Sequence, residues 1–429
     1  MKSLRQKIEQ EIRGRGPIPF SRYMELCLYD PHLGYYSRNA EQFGKAGDFY
    51  TSSDLHAVFG RLLSRQFDEM WRALDSPEHI DLLELGPGRG LFAQDVLDCS
   101  EKKFPDFFHA LRYVLIESSP ALRSRIQATL ARHLRSGKAA LQDGSTIPDA
   151  RQIASWKLHV GTAALGCSDG RSPAAAPQSV CQPADEGTPI PEVSTIVFAN
   201  EFFDALPVEI LSPQGSLRID TRDGRFIETW ARPSPEELEF LDRYSIHPEP
   251  QEGGEEEEEE EEEEERIEAP LIAQQFMNHI AANIQRGFLI AIDYGCTREQ
   301  QLAGRHRGTL KAIRQHSLSA SPYEAPGEQD ITADVNFTAL AAAAQEHGMQ
   351  TNKLVTQSQF LMGIGEANQF ADAFEECRLP QERAKVALQL KHLVTPAGTG
   401  ESFQVLIANK GVEQRRIESL SGLSFGCKR

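Results

Sequence analysis

Leu82-Leu83-Glu84-Leu85-Gly86-Pro87-Gly88-Arg89-Gly90 reads as a buried strand running straight into a tight glycine turn. The apolar run Ile80, Leu82, Leu83 and Leu85 suits a central parallel strand covered on both faces. Gly86, Gly88 and Gly90 let the backbone turn sharply and approach a ligand without Cβ clashes. A helix is expected to start immediately afterwards.

Spacing separates the cofactors that use such loops. A dinucleotide fingerprint needs G-x-G-x-x-G, but here the sixth place is Leu91 and the third glycine falls one place early. A phosphate-cradling loop ends in G-K-[ST], and Gly90-Leu91-Phe92 offers neither lysine nor hydroxyl. Glu84 would repel a pyrophosphate and attract an ammonium or sulfonium cation. A second acid, Glu117, closes the next apolar run, Leu111 to Ile116, at the strand end where doubly wound sheets hold ribose hydroxyls. Together these features point to S-adenosylmethionine (SAM) as cofactor.

With these residues in place, the chain resembles the MidA family of SAM-dependent methyltransferases, whose mitochondrial members are protein arginine methyltransferases acting in the assembly of respiratory complex I. The glycine loop carries the first motif. Further matching blocks are Gly16-Pro-Ile18 with Tyr23-Met24, Gly34-Tyr35-Tyr36, Gly47-Asp-Phe-Tyr-Thr-Ser52, Ala199-Asn-Glu-Phe-Phe-Asp-Ala-Leu-Pro207, Ile292-Asp-Tyr-Gly295, Gly308-Thr-Leu310 and Asp330-Ile-Thr-Ala-Asp334. Their order and spacing hold from about Pro17 to Lys410. Two departures stand out. Ser53-Asp54 replaces the family's Pro-Glu, and near Trp156, taken to mark the third strand, Leu158 and His159 stand where the family has an acid, leaving the adenine contacts unassigned.

The resemblance implies an α/β fold: a doubly wound, seven-stranded Rossmann-like class I methyltransferase sheet with an N-terminal helical cap and inserted cap and lid segments. On this reading residues 1–77 form the cap, 78–206 the first part of the core, 207–270 an inserted cap with antiparallel strands, and 271–298 a core helix and strand. Residues 299–350 form a lid, 351–412 the last core strands and 413–429 a tail. Asp223-Gly224 signals a hairpin between strands expected at 208–219 and 225–232. Leu55, Val58, Phe59, Leu62, Leu63, Phe67 and Met70 have helical spacing.

Composition excludes several functions. The net charge of −18 falls to −18 + 11 = −7 once the eleven consecutive glutamates Glu255 to Glu265 are set apart, and no basic excess marks a nucleic-acid partner. The glutamate run and the Gly/Ala/Ser/Pro-rich stretch 161–191 read as solvated coil. Seven scattered cysteines without a CxxC pair suit a reducing compartment and show no zinc spacing, so no metal is expected. No run reaches the ~20 apolar residues of a membrane span. The first twenty residues carry Glu9 and Glu11 and place Leu4, Ile8 and Ile12 on one helical face, a docking helix rather than a transit peptide. The expected location is the cytoplasm of a bacterium.

Methyl transfer from a sulfonium is an in-line displacement, so alignment and exclusion of water matter more than acid–base machinery. Asn200, Glu201 and Asp204 leave the end of the fourth strand and are the candidate catalytic residues. With arginine as acceptor, Glu201 would pair with the guanidinium, while Asp204 would hold a second edge, orient Asn200, or simply cap a turn. Cofactor contacts are expected from Glu84, Gly86, Gly88, Gly90 and Glu117, and from the loop of Asp48, Phe49, Thr51 and Ser52, where Thr51 or Ser52 would cap the following helix and its exposed N–H groups would favour the methionine carboxylate. Asp330-x-Thr332-x-Asp334-x-Asn336 lacks the glycine and glutamate of a calcium loop, and Arg314 and His316 read as surface residues. The expected partner is a protein substrate, by resemblance a subunit of the respiratory NADH dehydrogenase, with homodimerisation left open. A methyltransferase acting on a small molecule and a non-catalytic assembly chaperone are the alternative readings.

Overall fold

The computed structural model describes residues 3–37, 57–144, 193–244, 265–302, 308–314 and 317–425. The expected contacts at Asp48, Phe49, Thr51 and Ser52, the Trp156 segment, the stretch 161–191, His316 and Glu255 to Glu264 lie outside these residues.

Among the described residues, seven strands make the main path of the central sheet. They are β1 (Ile80–Leu85), β2 (Leu111–Glu117), β3 (Ala139–Asp143), β4 (Ser194–Asn200), β5 (Arg286–Cys296), β6 (Gln350–Thr351) and β7 (Phe403–Lys410). Their spatial order is β3-β2-β1-β4-β5-β7-β6, and Val335–Asn336 beside β5 and Val355–Thr356 beside β7 bring the sheet to nine. Strands β1 to β5 are parallel where they pair, and β7 runs antiparallel to β5.

The near-continuous apolar sequences of β1 and β4 follow from burial on both faces. Leu82, Tyr113, Ile196 and Phe198 point to one face, packed under the helices Ala57–Ala73 and Leu91–Lys103. Leu83, Val114, Val197 and Ala199 point to the other, under Leu271–Asn283 and Phe337–Glu346. Phe198 stacks on Phe92 with centroids 4.6 Å apart and meets Phe67 edge-on at 5.7 Å, joining the sheet to two helices.

A second core lies above the carboxyl ends of the strands. The helices Leu4–Arg15, opened by a Ser3/Gln6 capping box, and Phe20–Tyr29 pack on an antiparallel sheet built from Ile18–Pro19, Glu209–Ser212, Gly215–Arg222, Arg225–Ala231 and Ile267–Ala269. Ile18 pairs with Ile219, and the expected hairpin turns at Asp223-Gly224. A three-stranded sheet of Lys311–Arg314, Ser317–Leu318 and Asp330–Thr332 adjoins it.

Several expectations need correction. The helix Ala57–Ala73 belongs to the main core, so the cap is confined to residues before it. The span 208–219 is two strands joined by a turn at Ser212–Gly215. The strand following β2 is Ala139–Asp143, a short edge strand with a weak apolar signal. Residues from Val335 onward are no lid: the Val335–Asn336 strand joins β5, and the helix after it carries Phe337, Leu340 and Ala344 into the core.

Candidate active site

The glycine turn behaves as its spacing dictates. Gly86, Gly88 and Gly90 take φ of 61°, 54° and 75°, the left-handed region that other residues resist. Gly86 donates to the Ile116 carbonyl at 3.1 Å, and a Cβ placed on it would lie 3.0 Å from the Phe202 ring. Gly90 caps the helix Leu91–Lys103, whose first turn has no side-chain cap.

Beneath and beside this loop opens a cleft with about 1220 Å³ of empty space, including its solvent-facing part. Glu84, Gly86, Gly88, Glu117, Asn200, Glu201 and Asp204 all line it, so residues more than a hundred positions apart converge at the carboxyl ends of β1, β2 and β4. Gly90 lies behind the wall, against Ile126. Five carboxyl groups, from Glu84, Glu117, Glu201, Asp204 and Asp330, face one guanidinium, from Arg89, among the described lining residues. That balance favours a cation.

Glu84 is buried and accepts a 2.8 Å hydrogen bond from the Tyr113 hydroxyl. Burial pushes its carboxyl up to about 8, with Glu117 adding to the rise and Tyr113 opposing it. Glu117 accepts the Ser119 N–H at 2.7 Å, and burial raises it to about 7. Ser119 in turn donates its hydroxyl to the Tyr36 carbonyl at 2.7 Å. Both acids therefore sit ready to ionise toward a positively charged or hydroxyl-donating ligand, and the Cβ-free loop beside them admits its close approach. These features fit SAM.

At the end of β4, Asn200 donates its amide to Glu201 Oε1 at 3.2 Å, and its buried Oδ1 has no hydrogen-bond partner among the described residues. Glu201 stands at φ 50°, and its N–H donates to the Ile292 carbonyl at 2.9 Å. Asp204 is buried, its Oδ1 has no hydrogen-bond partner among the described residues, and burial lifts it to about 7 against an Ala205 N–H that lowers it.

Tyr29, Tyr36, Ser118 and Asp330 are among the cleft residues that went unassigned in the sequence. Tyr36 donates its hydroxyl to Asp330 at 2.9 Å, and Tyr29 donates to the Ala205 carbonyl at 2.9 Å. Their rings lie 5.5 Å apart and form the cap side of the cleft. Ser118 follows Glu117 along the wall. The blocks Gly34-Tyr35-Tyr36 and Asp330-Ile-Thr-Ala-Asp334 contained the signal for Tyr36 and Asp330, but nothing local linked them.

Comparison with known proteins places this geometry in a family. Residues 62–355 match the family model described as "Putative S-adenosyl-L-methionine-dependent methyltransferase". The chain is 28% identical over 431 residues to the mitochondrial protein arginine methyltransferase NDUFAF7 homologue of Drosophila melanogaster, covering 99% of this chain and 88% of that protein. It is 27% identical over 405 residues to the human NDUFAF7 protein, covering 92% and 80%. A crystal structure from Burkholderia thailandensis bound to S-adenosyl-homocysteine shares the fold, with TM-score 0.71, 24% identity and coverage of 98% of this chain and 94% of that one. The glycine loop, its two buried acids and the matching family model together show that this chain belongs to the MidA family of SAM-dependent methyltransferases.

Proposed function

We propose that the chain is a class I enzyme with a doubly wound, seven-stranded Rossmann-like core that methylates an arginine side chain of a protein, in particular a subunit of a respiratory complex. The carrying observation is the acidic end of β4: Glu201, Asn200 and Asp204 line the same cleft as the glycine loop, with Glu201 turned in by its left-handed backbone. Relatives named as protein arginine methyltransferases support the choice of acceptor.

Bound SAM supplies an electrophilic methyl group and a neutral thioether leaving group. Glu201 cannot deprotonate a guanidinium, whose pKa exceeds about 12. Its carboxylate instead draws the positive charge onto the nitrogens it pairs with and leaves the third with lone-pair character. With the cofactor held at the glycine loop, that nitrogen would meet the methyl carbon, and its proton would depart as the C–N bond formed and the C–S bond broke. Asp204, raised by burial to about 7 and so partly ionised at neutral pH, is the cleft carboxylate assigned to take that proton. Tyr29 and Tyr36 wall the cleft on the cap side and limit water.

The test is Glu201→Gln, assayed with labelled SAM on partner proteins captured from the native source. A carboxylate–guanidinium pair is worth roughly 1.5–3 kcal/mol, so turnover should fall about 10- to 150-fold while SAM affinity stays put. Wild-type turnover in E201Q would remove Glu201 from the mechanism. Binding of a partner with no transfer by the wild type would favour the chaperone reading. The bacterial cytoplasm is the compartment proposed for this activity, to be checked by fractionation.

A further inference from the structure

Asp293 on β5 lies behind the cleft wall, 1% exposed, and touches none of the space open to ligands. Its Oδ2 accepts three successive backbone N–H groups of the turn that follows β4: Phe202 at 3.1 Å, Phe203 at 2.9 Å and Asp204 at 3.3 Å. Its Oδ1 accepts the N–H of Tyr294 at 2.9 Å. Successive N–H groups converging on one oxygen form a backbone nest, and here the oxygen belongs to a carboxyl side chain of the neighbouring strand, whose pKa burial and the nearby Asp204 and Glu201 push well up.

The register explains why the nest forms here. Asn200 lies opposite Ile292 in the parallel β4–β5 pair, and Glu201 extends that ladder by one bond to the Ile292 carbonyl. The chain then has to leave the sheet, and Asp293 is the next residue along β5. Leaving at that point puts Glu201 at φ 50°, a conformation that non-glycine residues resist and that persists only where surrounding bonds determine it. The three bonds to Asp293 begin at the very next residue. A second anchor, the Ala333 N–H to the Asp204 carbonyl at 3.0 Å, fixes the far end of the turn.

We infer that Asp293 is the positioning residue for the acceptor site: by gathering the 202–204 amides it holds Glu201 in its left-handed conformation and aims that carboxylate into the cleft. The inference rests on the role proposed for Glu201. Asp293 has no contact with the cleft, so its influence on turnover must pass through the turn it gathers, and Glu201 rather than Asp204 is assigned to carry it.

That requirement sets the experiment, a double-mutant cycle in the full chain with labelled SAM and the captured acceptor. Asp293→Ala should lower acceptor turnover about tenfold or more, because small misplacements of an aligning group have effects of that size, while the SAM Kd by calorimetry changes less than about twofold. Asp293→Asn keeps one oxygen for the nest and should recover much of the loss. Combined with E201Q, D293A should add less than about threefold, since the group it positions is already disabled. Full activity in E201Q would overturn the Glu201 reading and this inference with it. An impaired E201Q beside a fully active D293A would overturn the inference alone, as would losses that multiply in the double variant. If D293A fails to fold, amide hydrogen exchange of the wild type decides: protection of the 202–204 amides at the level of β4 upholds the nest, and exchange at the rate of an open loop overturns it.

Discussion

SAM binding should expel protons, and the position of Glu84 sets how many. Burial holds this carboxyl at about 8 in the ligand-free protein, so roughly 1% is ionised at pH 6 and roughly 9% at pH 7. A cationic cofactor favours the ionised form and draws the pKa down on binding. Where the bound pKa falls well below 6, apparent affinity follows the ionised fraction and tightens about tenfold from pH 6 to pH 7, or ~1.4 kcal/mol. Glu117, at about 7, adds to the trend through hydroxyl groups that prefer a carboxylate acceptor. Working between pH 6 and 7 keeps the α-amino group of the cofactor mostly protonated, since such groups titrate near about 7.7–8.0. Calorimetry in two buffers of different ionisation enthalpy should report release of roughly 0.9 proton from Glu84 at pH 7, and Glu84→Gln should abolish that share and flatten the tenfold slope. An E84Q protein with the same slope and proton release as wild type would refute the assignment of a charged Glu84 to the cofactor.

The same acids make the ligand-free protein pH-sensitive in the opposite direction. Glu84, Glu117, Asp204, Glu209 and Glu268 all have folded values raised by burial to about 7 or 8, above their unfolded ones. The folded chain keeps protons that the unfolded chain has lost, so stability is fullest below about pH 4.5 as far as these groups are concerned and erodes as pH rises to 7–8; a ligand-free melt should be higher at pH 6 than at pH 8, and the reverse order would contradict their burial. Gly86→Ala puts a methyl 3.0 Å from Phe202 at φ 61° and should weaken SAM binding at least tenfold by calorimetry, with a smaller change in the melt. Phe198→Ala removes a fully buried ring from between Phe92 and Phe67 and should cost about 3–5 kcal/mol in denaturant unfolding, a loss below 1 kcal/mol being incompatible with that packing.

What the sequence made legible was whatever is local. β1, the glycine turn and Glu117 could be read because strand burial, backbone conformation and strand-end chemistry are each written within about ten residues. Asp223-Gly224 announced its hairpin for the same reason. Residues that act across the sheet stayed hidden: Asp293 sits in an apolar strand where an acid has no local explanation until the β4–β5 register brings the 202–204 amides against it. Tyr36 and Asp330 are separated by 294 positions and meet only through the cap. Ala139–Asp143 was missed because an edge strand of Ala-Ala-Leu-Gln-Asp needs neither continuous apolarity nor strict alternation.

The pairing of Ile18 with Ile219 has a consequence for biosynthesis. The N-terminal helices bury Ile8, Phe20, Tyr23, Met24 and Leu28 completely, yet part of the surface that covers them lies about 200 residues later in the chain, and Ile331 later still. At translation rates of roughly 5–20 residues per second, that first greasy hairpin leaves the ribosome roughly 10–40 s before Ile219 exists to receive it. The nascent chain must therefore carry an incompletely sheltered apolar segment while about 200 further residues are made. The roof of the cleft closes late, after the floor beneath it has begun to assemble.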